Sequence, residues 1–159
     1  MANSKSKDFE IYVATAADST ADNTSLDLTD YVDIADNQAF EIHEVALVLD
    51  MTESFPTTNI EALFQLADSN IQAFVSHSDR TSLYVCRQTF DATQFGMWEQ
   101  ESFSSITPLI VSKTLWLRNE SNSAVAQTLD YTLRIKGRIV SPSAKDYMAL
   151  VLTQTGNVA

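Results

Sequence analysis

The stretch from Leu129 to Ile139 places Leu129, Tyr131, Leu133, Ile135 and Ile139 on one parity. Asp130, Thr132, Arg134, Lys136 and Arg138 stand on the other. Side chains of a strand alternate between faces, so this period of two reads as a β-strand with one face buried and one solvated. Gly137 is its only blank. A helix, with its period of 3.6, would scatter these residues around its axis. The same period recurs upstream. Phe9, Ile11 and Val13 alternate with Glu10 and Tyr12, and Phe40 and Ile42 alternate with Glu41 and His43. At Glu44 the phase slips, and Val45, Leu47 and Leu49 take over the buried parity. A one-residue slip within a strand is the signature of a β-bulge.

Further strands are expected at Ile60–Leu66, Ile71–Val75, around Leu83 and Val85 (with Tyr84 and Cys86 opposite), at Pro108–Ser112, and at Leu115–Arg118. That makes about eight strands separated by polar loops, a pattern of sandwiches and barrels and not of α/β folds. The polar cluster Asn119-Glu120-Ser121-Asn122-Ser123 predicts a hairpin joining the Leu115 strand to the last one. Phe90–Glu101 reads as a loop carrying an aromatic anchor, because Gly96-Met97-Trp98 makes a poor helix. Ser141-Pro142 offers a cap and a first-turn proline, Ser143 with Asp146 resembles a capping box, and Tyr147, Leu150 and Val151 have helical spacing. The expectation is a single all-β domain over 1–159: an antiparallel sandwich or barrel of about eight strands with a short C-terminal helix. Residues 1–8 would form a flexible arm and 153–159 a loose tail.

The net charge of −11 is unevenly distributed. Residues 1–68 hold fourteen acids and two bases, a net of −12; residues 69–159 hold seven acids and eight bases, a net of +1. Nucleic-acid binding is disfavoured, because backbone recognition needs clustered Lys and Arg, and the N-terminus offers only Lys5 and Lys7. Arg134, Lys136 and Arg138 share one face and suit an acidic partner, such as the Asp-rich part of a neighbouring copy. Asp27, Asp30, Asp33 and Asp36 recur at every third position. They lack EF-hand spacing and its Gly, so the segment reads as a solvated, turn-rich stretch.

Catalytic and cofactor chemistry finds no motif. With 3 glycines in the chain, a phosphate-cradling loop is excluded. Glu41 and His43 share a parity but lack further ligands at metal spacing. Cys86 lies in an apolar strand, the setting of an inert thiol, and a lone cysteine excludes an intrachain disulfide. The expectation is a protein that is not an enzyme and has no cofactor, metal or small-molecule substrate. Met1–Asp8 lacks an apolar signal-peptide core, so standard secretion is not expected, and the sequons Asn23-Thr24-Ser25 and Asn119-Glu120-Ser121 read as coincidental. Trp98 and Trp116 are candidate anchors for a protein interface or a sugar.

An acidic chain of this size, with about eight strands, a Lys-poor N-terminal arm, and a long final strand (Leu129–Val140) followed by Ser141-Pro142-Ser143 and a small helix, resembles the single jelly-roll capsid proteins of icosahedral viruses. It looks most like the small major capsid proteins of membrane-containing archaeal and bacterial double-stranded DNA viruses. The resemblance is one of architecture over residues 9–152 and assigns no family site to any residue. It implies an eight-stranded jelly-roll β-sandwich of two four-stranded sheets, assembly into pentamers or hexamers, and residence in the virion after synthesis in the host cytoplasm. It implies as partners other copies and other capsid proteins, with no direct nucleic-acid contact and an internal membrane met through other components. Arg134, Lys136, Arg138, Trp116, Trp98, Asp27, Asp30 and Asp33 are the candidate subunit-interface residues. The competing readings are a carbohydrate-binding sandwich with Trp98 or Trp116 as platform, and an appendage or fibre subunit.

Overall fold

The computed structural model describes residues 3–18, 20–33, 36–50, 55–104, 107–121 and 128–155. Ten strands are described among them, in chain order: β1 (Asn3–Ser4), β2 (Phe9–Ala17), β3 (Asp22–Asp27), β4 (Ala39–Leu49), β5 (Ile60–Ala67), β6 (Ser82–Asp91), β7 (Gly96–Phe103), β8 (Leu109–Ile110), β9 (Thr114–Ser121) and β10 (Leu129–Ser141). One helix, α1 (Ala144–Thr155), follows. The strands form two antiparallel sheets. In the first, β10 lies between β4 and the β1/β2 edge, and β8 flanks β4; the second runs β3-β9-β5-β6-β7. Setting β1 and β7 aside, the orders are 2-10-4-8 and 3-9-5-6, and every connection except the β5–β6 hairpin crosses between sheets. That is the double Greek key of a jelly roll.

The alternating residues supply the core. Ile11, Val13, Phe40, Ile42, Val45, Leu47, Leu133 and Ile135 face Ala62, Phe64, Leu66, Tyr84, Leu115 and Leu117 across the sandwich. The phase slip in β4 is a bulge. Lys136 pairs with Glu44 but Gly137 pairs with Ile42, which leaves His43 as the extra residue. Gly137 is the blank because nothing larger fits: the Phe40 ring and the Glu41 carbonyl occupy the space a Cβ would take.

Several expectations change. Ile71–Val75 is not a strand; it lies in a loop, where the Gln65 side chain substitutes for a strand partner, accepting from Val75 N and donating to Val75 O at 2.9 Å each. Leu115–Arg118 and the last strand form no hairpin, because β9 is flanked by β3 and β5 in the opposite sheet; Asn122 and Ser123 lie outside the described residues. Phe90–Glu101 is not a loop but the end of β6, a turn, and the edge strand β7. Asp91 Oδ1 caps that turn from Thr93 N and Gln94 N, and Phe95 takes a φ of 52° within it.

Both termini are also more ordered than expected. β10 outruns β2, and its overhanging end, Val140 and Ser141, pairs with Ser4 and Asn3. Ser6 Oγ accepts from Ile139 N at 2.9 Å. At the other end Ser143, not Ser141, caps α1: its hydroxyl receives Asp146 N at 3.2 Å and donates to the Asp146 carboxylate at 2.7 Å. Thr153–Thr155 continue the helix, because Gln154 holds the backbone of the β8 region, accepting from Val111 N at 3.0 Å and donating to Leu109 O at 2.5 Å. Residues 156–159 lie outside the described residues. No helix among the described residues is long and apolar enough to cross a membrane.

Candidate functional site

The outer face of the first sheet carries the bases singled out in the sequence. Register places Glu10 of β2 and Glu44 of β4 on either side of Lys136, and Glu41 across from Arg138. Arg134 Nη2 is 3.0 Å from Glu44 Oε1, and its Nε is 4.0 Å from Glu10 Oε1. Arg138 donates from Nε and Nη2 to Glu41 Oε1, both at 2.9 Å. The bulge residue His43 joins this ladder, with Nε2 2.6 Å from Glu41 and Nδ1 3.2 Å from Asp8. Hydrogen bonding to Glu41 favours the imidazolium, and Asp8 adds to it, so the His43 pKa is raised above its ordinary value. A small part of the charge asymmetry along the chain is thus met within the subunit: Glu10, Glu41 and Glu44 of the early strands flank the bases of the last one. The triad is brought together as expected, but not as a bare positive patch.

Asp27, Asp30 and Asp33 are exposed. Asp27 accepts from Thr29 N at 2.8 Å and Thr29 Oγ1 at 2.7 Å, and these bonds lower its pKa. Leu28 and Val32, both buried, pin this turn to the sandwich. Ile34 and Ala35 lie outside the described residues. Among the described residues no group of three or more His, Cys, Asp and Glu gathers in a metal-binding arrangement.

The outer face of the second sheet is divided. The loop 68–81 closes through Asp68 N to Thr81 O and covers one part. Phe74 of that loop lies 5.6 Å from the Arg118 guanidinium. Trp116, on the same face, is half-buried between Ser25 and Ala67. The other part, at β6 and β7, is open, and Trp98 there is 55% exposed, with Phe95 exposed in the turn before it; Met97, also exposed, has the opposite parity and pairs with Phe90. Arg87 Nη2 holds Glu61 Oε1 at 2.9 Å on this face.

A polar relay that sequence reading missed runs beneath β7. Tyr131 OH donates to Gln88 Oε1 at 2.8 Å, Gln88 Nε2 donates to Glu99 Oε2 at 2.5 Å, and Tyr84 OH donates to Glu101 Oε2 at 2.8 Å. It ties the edge strand to the core and to the opposite sheet. Its one visible trace in sequence is Gln88 on the parity of Tyr84, Cys86 and Phe90. Cys86 is buried on that face, and burial pushes its thiol up to about 11, so it stays protonated and unreactive. A groove of about 680 Å³ runs past Asp68, His77, Arg80, Ser102, Leu109 and Gln154. Burial pushes the Asp68 carboxyl up to about 6. Ser82 there is buried, with Gln65 Nε2 at 2.8 Å and His77 Nδ1 at 3.1 Å.

Compared with known proteins, the chain matches no family model and no curated protein sequence.

Proposed function

We propose that this chain is a structural subunit of a viral capsid, packing side by side with copies of itself to form a shell. The observation that carries the reading is the strand order 2-10-4-8 and 3-9-5-6, the arrangement implied by the resemblance to single jelly-roll capsid proteins. Its partners in this reading are other copies and other capsid proteins. The acidic surface keeps it from direct nucleic-acid contact, and an internal membrane is met through other components. Neighbours gain little from Arg134 and Arg138, which already hold acids of their own chain. Asp27, Asp30 and Asp33 stay exposed for contact with a neighbour. Negative-stain microscopy of the purified protein tests the reading. Closed rings or shells support it, filaments point to an appendage subunit, and particles that remain single subunits contradict it.

A further inference from the structure

We propose that the open outer face of β6 and β7 is a carbohydrate site for an uncharged pyranose, with Trp98 as its stacking platform. This goes beyond shell assembly and does not depend on it. The indole of Trp98 folds back along its strand over Gly96: Cη2 lies 2.9 Å from where a Cβ of residue 96 would sit. The absence of that Cβ is what lets the ring settle there, and more than half of the side chain still meets solvent.

Hydrogen-bonding groups surround the ring in register. Thr89 pairs directly with Trp98, and Arg87 pairs with Gln100, which shares the Trp98 face two residues on. Glu61 pairs with Thr89 from the far side and holds Arg87. One flat patch therefore offers an aromatic surface, a hydroxyl, an amide, a guanidinium and a carboxylate, spaced by about 5 Å across strands and about 7 Å along them. A pyranose matches this set: its C–H face is apolar and its rim hydroxyls both donate and accept. A second copy of the chain fits less well, because it would bury Glu61 at the centre of an interface, where such charges are depleted.

The charge selects an uncharged sugar. The chain carries −11 overall, and Glu61 within the patch holds the Arg87 guanidinium there, so a carboxylated or sulfated glycan is repelled. The bonds from Gln88 to Glu99 and from Tyr84 to Glu101 hold β7 in place before any ligand arrives, which lowers the ordering cost of binding.

The test uses the full chain carrying Trp116→Phe, so that Trp98 is its sole tryptophan fluorophore. Lactose, maltotriose, cellotriose and mannobiose are titrated into the millimolar range, with sialyllactose as the charged probe. At least one neutral sugar is expected to shift the emission saturably, and sialyllactose to bind more weakly. Calorimetry with that sugar should show binding weakened more than tenfold by Trp98→Ala and severalfold by Gln100→Ala, in variants whose circular dichroism matches the parent. Failure of every neutral sugar to shift the emission overturns the proposal. So does a Trp98→Ala variant that changes only self-association in sedimentation, which would make this face a contact between copies.

Discussion

A Cβ on Gly137 would lie 2.2 Å from the backbone carbonyl oxygen of Glu41. The glycine in the longest strand and the bulge in its neighbour are therefore one device. The bulge turns Ile42 and Val45 both inward despite their odd spacing, and the absent side chain opposite lets the kinked strand approach.

Gly137→Ala tests that device. The added methyl meets backbone and the Phe40 ring at 2.8 Å, atoms that cannot swing away. The expected cost is about 3 kcal/mol. In urea unfolding, the midpoint should fall while the slope stays constant. An unchanged midpoint would mean the bulge relaxes freely.

The relay from Tyr131 through Gln88 to Glu99 makes a second prediction. Tyr131→Phe removes one buried hydrogen bond and should cost about 1–2 kcal/mol. Gln88→Leu strips the amide from both Tyr131 and Glu99 and should cost more. Combined, the two should cost less than their sum, because they act on one contact. Strict additivity in a double-mutant cycle would show that the two groups are not coupled.

Stability should fall as pH rises from acid to mildly basic at two sites. Both Asp68 and His43 have pKa values raised in the folded chain, Asp68 by burial and His43 by its bonds to Glu41 and Asp8. A raised folded pKa contributes stability that is whole below the unfolded value and is lost as pH climbs through the folded one. For Asp68 that window runs from 3.8 to about 6; for His43 it begins at 6.5 and extends upward. Asp68→Asn should flatten the lower window and leave the protein about 1–2 kcal/mol more stable than the parent at neutral pH. His43→Gln should flatten the upper one, by less than about 1 kcal/mol, since the site is partly open to water. Urea unfolding across both windows checks each variant; slopes matching the parent's would contradict the assignments.

Much of this architecture was legible because burial on one side imprints parity. The slip at Glu44 appeared in sequence because Val45 and Leu47 had to turn inward after it. β7 left no such imprint: as an edge strand it is exposed over nearly its whole length, so neither parity of Met97-Trp98-Glu99-Gln100 is apolar. Ile71–Val75 misled in the opposite sense. Its apolar residues anchor a loop, and its strand-like partner is the side chain of Gln65. The polar run expected to turn does not do so at its start: Asn119, Glu120 and Ser121 finish β9 in register with β5, and polar composition does not say whether the chain then returns to the same sheet or crosses to the other. The bases at 134, 136 and 138 were correctly placed on one face. Their partners were missed because Glu10, Glu41 and Glu44 lie about ninety or more positions away, brought alongside only by sheet order.

Sedimentation of the purified chain over a wide concentration range, paired with negative-stain images of the same samples, tests the central claim most directly. Assembly follows mass action, so the capsid reading predicts a 17.6 kDa subunit at low concentration that gives way to closed rings or shells as concentration rises. A chain that stays a single subunit at every concentration would contradict it.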